Sequence, residues 1–199
     1  MPDAPQAITA PPLILASRSP QRKAILEQLG VPFEVVVPDV DEIAEGDPVE
    51  VARTNARLKA DAIAARRRAA GDDRPILATD TVVRLGDTVY GKPRDERHAA
   101  EILTALSGHT HEVVSGLALH REGATETLHA TTRVQFRDLQ PLLHWYLRTG
   151  EWAERAGAYA IQGQGAAFVS RIEGDYLNVV GLPVAALLDT WPEVLHLRQ

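Results

Sequence analysis

Residues 13–30 read LILASRSPQRKAILEQLG, and they establish the class of fold. The first four residues form the short, continuous apolar run that is typical of a buried strand. Ser19 then suits the N-cap of a helix, and Pro20 suits its first position, where the missing N–H removes no hydrogen bond. Gly30 can end that helix in a left-handed conformation. The sequence therefore predicts a strand followed directly by a helix.

Apolar clusters of strand and helix type continue to alternate along the chain, without a long linker or an internal repeat. Two pairs of strands surround the turn sequences Gly86-Asp87 and Glu122-Gly123, which is the pattern of antiparallel hairpins. Helices mixed with both isolated strands and hairpins indicate an α/β fold with a mixed sheet and flanking helices. The predicted strands are 13–16, 33–37, 75–79, 82–85, 88–90, 112–120 and 127–136; the predicted helices are 20–29, 47–70, 95–106, one from 141 and one from 183; residues 157–169 are predicted as glycine-punctuated strand and loop.

The composition is that of a folded globular protein. Of 199 residues, 45% are hydrophobic and 24% are charged, which excludes wholesale disorder. Residues 1–12 contain four prolines among small and polar residues and are predicted to form a flexible arm, leaving residues 13–199 as a single domain. Cysteine is absent, so disulfides, thiolate metal sites and cysteine nucleophiles are excluded.

The charge and hydropathy of the chain limit its partners and its location. The formal net charge of −6 argues against a nucleic-acid polymer as partner, although a few cations suffice to bind one small phosphorylated ligand. No apolar run approaches the roughly 18 residues of a membrane helix, and the N-terminal residues lack the pattern of a signal peptide. We therefore expect a cytoplasmic protein without a membrane partner.

The junction between the first strand and the first helix is the strongest local signal for a binding site. A helix N-terminus offers unpaired N–H groups and the positive end of the helix dipole, which together favour an anion. Two hydroxyls, Ser17 and Ser19, and the cations Arg18, Arg22 and Lys23 add side-chain donors. A triphosphate would suit such a junction, and the alternative is an ordinary capped helix with solvated charges.

Two charged residues interrupt apolar patterns. Lys59 shares a helical stripe with Ala56 and Ile63, so its ammonium must either extend to solvent or meet an anion in a cleft. Asp80 follows the apolar run of residues 76–78 and is predicted near the end of a buried strand. A carboxylate there is costly unless it is paired or binds a metal, and ligands of α/β sheets tend to lie outside strand ends. The alternative for Asp80 is a turn or capping role.

Three further features carry weaker signals. The sequence Gly91-Lys92-Pro93 holds one lysine on a turn with little freedom. The acidic loop, residues 39–46, contains Glu42 and two aspartates, which could hold Mg²⁺ or could simply be solvated. Gln162 lies in an apolar stretch, where its amide could recognise a base edge or be satisfied within the fold.

Taken together, these segments resemble the Maf family of nucleoside triphosphate pyrophosphatases. The matching stretches are residues 13–30, the acidic loop, residues 78–119 (ATDTVVRLGDTVYGKPRDERHAAEILTALSGHTHEVVSGLAL) and residues 150–183 (GEWAERAGAYAIQGQGAAFVSRIEGDYLNVVGLP). The resemblance implies a two-lobed fold similar to that of inosine triphosphate pyrophosphatases, with a cleft between the lobes. It also implies hydrolysis of a nucleoside triphosphate to the monophosphate and pyrophosphate with a divalent cation, Mg²⁺ or Mn²⁺, and a homodimer.

The resemblance also assigns roles to individual residues. Asp80 matches the catalytic aspartate of the family, and it would hold the metal together with Glu42. The other residues that the resemblance places in the cleft are Lys59 and Lys92 as catalytic cations, and Ser17, Ser19, Gln21, Arg22, Thr81, Arg155 and Gln162 as substrate-binding residues. The stretch 156–163, AGAYAIQG, is similar to the branch that acts on dTTP and UTP.

Two departures from the family pattern bear on specificity. The usual SPRR appears as Ser19-Pro20-Gln21-Arg22, so one cation is missing at Gln21, a position associated with substrate choice. Arg155 replaces a lysine, which exchanges a compact ammonium for a planar guanidinium. Gln21 therefore leaves open an enzyme of this family with another base preference (CTP, UTP or 7-methyl-GTP). The other alternative, a weakly catalytic nucleotide-binding regulator of septum formation and cell division, is implied by the association of the family with septum formation.

Overall fold

The computed structural model describes residues 12–197. The predicted arm therefore lies outside the described residues except for Pro12, which is exposed. No helix in the described range is long and apolar enough to cross a membrane.

Within residues 12–197, seven strands form one mixed sheet. The central path runs β2-β1-β3-β5-β6-β7, and β4 pairs with the far end of β3. The first three strands of this path are parallel, whereas the pairings of β3 with β5, β5 with β6 and β6 with β7 are antiparallel. The strands are β1 (Leu13–Ala16), β2 (Phe33–Val35), β3 (Ile76–Leu85), β4 (Thr88–Tyr90), β5 (Thr110–Arg121), β6 (Ala124–Phe136) and β7 (Val169–Glu173).

Helices cover the sheet, which confirms the predicted α/β fold with a mixed sheet and flanking helices. The helices are α1 (Pro20–Leu29), α2 (Pro48–Arg68), α3 (Glu96–Leu106), α4 (Leu143–Leu147), α5 (Tyr176–Val180) and α6 (Val184–Thr190), with 3₁₀ turns at Ala156–Ala158, Gln164–Phe168 and Pro192–His196. Helix α1 begins as predicted, because the Ser19 hydroxyl accepts a hydrogen bond from the Arg22 N–H, and it ends at Gly30 with φ 73°. Asp47 caps α2 in the same way.

Strand β3 is longer than predicted, and this moves Asp80 from the end of a strand to its middle. The parallel neighbour β1 ends opposite Ala78, but the antiparallel neighbour β5 pairs with β3 as far as Arg84. Asp80 therefore lies just beyond the point where β1 stops, so that a cleft opens beside it while its own strand continues. The prediction that the strand ends at residue 79 was wrong, because apolar content alone did not show the continued pairing with β5.

Two large apolar clusters lie in different parts of the fold. One joins α1 and α6 to β1 and includes Leu15, Leu26 and Leu187. The other joins α3 and α4 to the end of β6 and includes Leu103 and Phe136. A cleft with residues of both regions in its walls agrees with the expected two-lobed shape.

Helix α2 lies unusually close to the sheet because β5 carries Gly116 at the contact. A Cβ atom on Gly116 would overlap the carbonyl oxygen of Ala52 in α2. Gly116 is also the residue paired with Asp80 across the two strands. The absent side chain thus brings α2 down onto the sheet next to Asp80.

Candidate active site

The cleft encloses about 860 Å³, which is within the range of small-molecule sites. It is formed by the start of α1, the acidic loop, α2, the middle of β3 and the segment 153–162. All eleven residues to which the family resemblance assigned a role line it: Ser17, Ser19, Gln21, Arg22, Glu42, Lys59, Asp80, Thr81, Lys92, Arg155 and Gln162. Arg18 also lines the cleft, but Lys23, the other cation predicted at the junction, lies outside it and pairs with Glu27 on the surface.

At the floor of the cleft, Lys59 and Asp80 form a buried ion pair. The Lys59 Nζ lies 2.7 Å from Asp80 Oδ1, and the two side chains are 8% and 11% exposed. Burial alone would raise the pKa of Asp80, but the charge and hydrogen bond of Lys59, helped by Asn55, hold that pKa below its usual value. Lys59 therefore meets an anion instead of extending to solvent, and Asp80 is ionised at neutral pH.

The acidic loop brings a second carboxylate to the same lysine. Glu42 Oε1 lies 3.1 Å from Lys59 Nζ, and the Glu42 side chain is half exposed. The Asn55 side chain in α2 holds this loop through the N–H and the carbonyl of Ile43, and it donates a further hydrogen bond to Asp80 Oδ2 at 3.1 Å. Two carboxylates and one ammonium therefore converge in one corner of the cleft.

Arg22 also lines the cleft, next to Thr81, and is fixed by three hydrogen bonds. Its guanidinium donates to the Gly181 carbonyl at 2.9 Å, to the Ser17 hydroxyl at 3.2 Å and to the Thr81 hydroxyl at 3.3 Å. Burial lowers the pKa of Arg22, and the charges of Asp80 and Glu42 oppose that shift. The guanidinium is thus a cation held in place before any ligand arrives, since its acceptors are backbone and hydroxyl oxygens.

The hydroxyls at the start of α1 also have defined partners. The Ser17 hydroxyl accepts a hydrogen bond from the Ser19 N–H at 3.0 Å. The Ser19 hydroxyl donates to Gln21 Oε1 at 2.9 Å. This bond occupies the acceptor of the Gln21 amide, and the N–H₂ group of the amide can still donate to a ligand. The junction therefore presents neutral donors at Gln21, with the cation one residue further along at Arg22.

The remaining wall carries Lys92, Arg155 and Gln162. Lys92 Nζ lies 2.8 Å from Glu154 Oε2, and both side chains are largely exposed. The Arg155 Nε is buried and has no hydrogen-bond partner among residues 12–197. Gln162 is exposed in the cleft, and its amide makes no hydrogen bond to another residue of the described range, so it is open to a ligand.

The donors at Asp80 and Glu42 suit a hard divalent cation. Among the described residues, no group of three or more histidine, aspartate or glutamate side chains could hold a metal ion. Mg²⁺ usually binds to proteins through only one or two carboxylates, with phosphate oxygens and waters completing its shell. The two carboxylates that converge on Lys59 fit that pattern, provided that the ligand supplies the phosphates.

Sequence reasoning missed two polar residues of this site. Asn55 lies one helical turn before Lys59, and its position in the buried stripe of α2 was the available signal. Ser115 is fully buried in β5, and its hydroxyl lies 2.9 Å from the Thr81 hydroxyl that holds Arg22. Only the pairing of Thr81 with Ser115 across the two strands reveals that second contact.

The chain belongs to the Maf family, because the family model described as Maf-like protein matches residues 12–193. The dTTP/UTP pyrophosphatase of Nitratidesulfovibrio vulgaris is 47% identical to it over 182 residues, which cover 89% of this chain and 85% of the relative. The dTTP/UTP pyrophosphatase of Deinococcus radiodurans is 43% identical over 184 residues, 92% of each chain. A HAM1 protein from Coxiella burnetii, known from a solved structure, aligns with a TM-score of 0.43 and 19% identity over 62% of this chain and 72% of that chain.

Proposed function

We propose that this protein hydrolyses nucleoside triphosphates, with dTTP and UTP as the preferred substrates, to the monophosphate and pyrophosphate. The relatives described above carry the name dTTP/UTP pyrophosphatase at up to 47% identity. One structural observation carries the proposal: the ion pair of Asp80 and Lys59 lies in a cleft of nucleotide size, and the guanidinium of Arg22 is fixed in the same cleft by Thr81, the residue after Asp80. A carboxylate to act on water and cations to receive phosphates are what this reaction needs.

The polyphosphate would lie between the start of α1 and the lysine-bearing turn. Arg22 and Lys92 would neutralise its oxygens, and the hydroxyls of Ser17 and Ser19 would add hydrogen bonds. Lys59 would add positive charge at the α-phosphate while keeping Asp80 and Glu42 side by side. Charge stabilisation and positioning are the main contributions that phosphoryl transfer asks of a protein.

In the proposed reaction, a water molecule attacks the α-phosphorus. The water oxygen forms the new bond to phosphorus while the bond from phosphorus to the oxygen of the leaving pyrophosphate breaks. The Asp80 carboxylate accepts a hydrogen bond from this water, orients it and receives its proton. The low pKa of Asp80 keeps the carboxylate in the ionised form that this role requires.

A divalent cation, Mg²⁺ or Mn²⁺, would be held by Asp80 and Glu42. When bound, it would supply positive charge at the phosphates and lower the pKa of a coordinated water. Lys59, which contacts both carboxylates, would keep them close together in the absence of the cation.

The base would be recognised by polar side chains at the other end of the cleft. We assign Gln162 and Arg155 to this task, because amide and guanidinium groups can pair with the carbonyl and imide groups of thymine and uracil. Thr81 and Gln21 are hydrogen-bonded to Arg22 and Ser19, so they would influence the choice of substrate from beside the polyphosphate. Because Gln21 is neutral where the family usually has a cation, the substrates of this enzyme could also include modified pyrimidine nucleotides, CTP or 7-methyl-GTP. The homodimer, the cytoplasmic location and the lack of a nucleic-acid or membrane partner stay predictions.

The test is incubation of the purified protein with dTTP, UTP, CTP and 7-methyl-GTP, each with Mg²⁺ or Mn²⁺, followed by product analysis. We expect monophosphate and pyrophosphate in equal amounts, fastest with dTTP and UTP. Preference for CTP or 7-methyl-GTP would overturn the assigned specificity but keep the reaction. Orthophosphate as the first product would overturn the reaction, and binding without turnover would favour the regulator of cell division.

A further inference from the structure

Asn55 is buried beside the carboxylates of the site, and we propose that it is a positioning residue that clamps the acidic loop to strand β3. Through this clamp, Asn55 would hold the carboxylates of Glu42 and Asp80 at a fixed position relative to each other. The inference rests on the proposed function, because it assigns Asn55 a role in that same site.

The hydrogen bonds of Asn55 define the clamp. Its Oδ1 accepts from the Ile43 N–H at 2.8 Å, and its Nδ2 donates both to the Ile43 carbonyl at 2.9 Å and to Asp80 Oδ2 at 3.1 Å. The orientation of the amide is not ambiguous, since the Ile43 N–H can only donate and therefore requires Oδ1. One side chain thus joins a helix, a loop and a strand, and it is only 2% exposed.

Helix α2 uses two residues one turn apart to hold the two oxygens of Asp80. Lys59 contacts Oδ1 and Asn55 contacts Oδ2. Because residues at i and i+4 lie on the same face of a helix, this pair fixes the orientation of the carboxylate from one rigid element. Each oxygen of Asp80 keeps a further lone pair for water or a ligand.

The acidic loop depends on this clamp because it has little apolar anchoring of its own. Residues 39–44 of this loop have no regular secondary structure, and Ile43 is 42% exposed. Asn55 and Lys59 supply the hydrogen bonds that join the loop to α2. Glu42 precedes the clamped residue directly, so a shift of Ile43 moves Glu42 away from Asp80.

The first test substitutes Asn55→Leu, which keeps the approximate volume and removes every hydrogen bond. We expect kcat for dTTP to fall by about 10²-fold, because displacement of a catalytic group by about 1 Å has that effect. Arg57→Leu, on the exposed face of the same helix, is the matched control for a leucine in α2. A folded Asn55→Leu protein with the parent kcat would overturn the proposal.

A double-mutant cycle with Glu42→Gln separates positioning from packing. If Asn55 acts by placing Glu42, Asn55→Leu should lower kcat in the Glu42→Gln protein by much less than in the parent, because residues of one network are not additive. Full multiplication of the two effects would show that Asn55 does not act through Glu42 and would overturn the clamp.

Hydrogen exchange of the Ile43 amide gives a readout that does not depend on activity. The amide should lose protection in both Asn55→Leu and Asn55→Ala, which remove the Oδ1 acceptor, and should keep it in the Arg57→Leu control. Equal protection in the parent and Asn55→Leu proteins would overturn the clamp. Absence of turnover in the parent would instead refute the proposed function, and the exchange measurement would still decide on Asn55.

Discussion

The Nζ atom of Lys59 lies 2.7 Å from Oδ1 of Asp80, and this ion pair joins the long helix α2 to the middle of the central strand β3. Both charges are almost fully buried, so each depends on the other for its solvation. The pair is therefore a structural contact as well as the proposed reacting centre. Its two members should respond differently to substitution, because Lys59 has a second contacting carboxylate in Glu42, whereas Asp80 has the neutral Asn55 in contact and the charge of Arg22 at longer range.

Removal of the lysine should damage stability, and removal of the aspartate charge should mainly damage activity. Lys59→Met leaves a buried carboxylate without the cation that contacts it, which should lower the free energy of unfolding by about 3–5 kcal/mol. Asp80→Asn keeps the shape of the side chain and leaves Lys59 paired with Glu42, so the loss of stability should be smaller. Its turnover of dTTP should fall by about 10²-fold or more.

Denaturant unfolding of both variants and their kcat values measure this contrast. A Lys59→Met protein as stable as the parent would show that the ion pair is not needed for folding. An Asp80→Asn protein with the parent rate would remove Asp80 from the mechanism.

The contact between Gly116 and α2 gives a second prediction. Gly116→Ala places a methyl group against the backbone of Ala52, so α2 must move away from the sheet or the strand must bend. Overpacking of this kind costs about 1–3 kcal/mol of stability. Because α2 carries Asn55 and Lys59, the same movement should separate them from Asp80 and lower kcat.

A series at position 116 checks this relationship. Gly116→Ser should lower the melting temperature and kcat further than Gly116→Ala, since the side chain is larger. A loss of stability with unchanged kcat in both variants would show that the distance of α2 from the sheet does not control the site.

The sequence predicted most of the framework because the framework depends on local signals. Ser19, Pro20 and Gly30 mark the ends of α1 by their own backbone chemistry, and the structure has those ends as predicted. The hairpin turn at Gly86-Asp87 was predicted on the same kind of evidence. Each of these signals is contained within a few residues, so a single sequence suffices to find it.

The parts that the sequence did not predict depend on pairing between distant segments. Asp80 lies mid-strand because β5, more than thirty residues further along the chain, continues to pair with β3 beyond the end of β1. Asn55 becomes a site residue only when the acidic loop folds back over α2. Strand β7 shares only Val169 with the stretch 157–169 that was predicted as strand and loop, and that stretch otherwise contains 3₁₀ turns. No element was predicted for residues 170–173, because only the edge pairing with β6 defines the strand there.

Lys92 and Glu154 form an ion pair in the cleft, and we expect the Glu154 carboxylate to compete with the substrate phosphates for the Lys92 ammonium. The Lys92 hydrogen bond and charge lower the pKa of Glu154, so this carboxylate is ionised and occupies the ammonium that the proposal assigns to the substrate. Glu154→Gln should therefore lower KM for dTTP at low salt, by at most about 5-fold for an exposed pair. The difference between the two proteins should shrink as salt is added.

KM measured at low and high ionic strength tests the competition. Lys92→Met should raise KM in the same assay, and it should cancel the benefit of Glu154→Gln when the two are combined. A Glu154→Gln protein with a higher KM than the parent would show that Glu154 contributes to binding and does not compete with it.

His111 is the buried histidine of this fold, and its surroundings are apolar. Its Nε2 lies 3.0 Å from the hydroxyl of Tyr159, and its ring packs edge-on against Phe136 and Tyr159. Burial lowers the pKa of His111 to about 4. The imidazole is therefore neutral in the folded protein at pH values where the unfolded chain, with an ordinary pKa near 6.5, binds a proton.

This difference sets the direction of a pH effect on stability. Above about pH 6.5 both states are neutral at His111, and the contribution of this residue is complete. As the pH falls toward 4, His111 binds a proton in the unfolded state but not in the folded state, so the free energy of unfolding should drop by about 2 kcal/mol between pH 8 and pH 5.

His111→Gln should make this decline with pH less steep, even if it lowers the free energy of unfolding at pH 8. His109 is an exposed histidine two residues away, and His109→Gln is the control. Because this variant retains His111, its free energy of unfolding should decline with falling pH as steeply as that of the parent. Urea unfolding at both pH values measures all three proteins, and an equally steep decline in His111→Gln would assign the pH dependence to other groups.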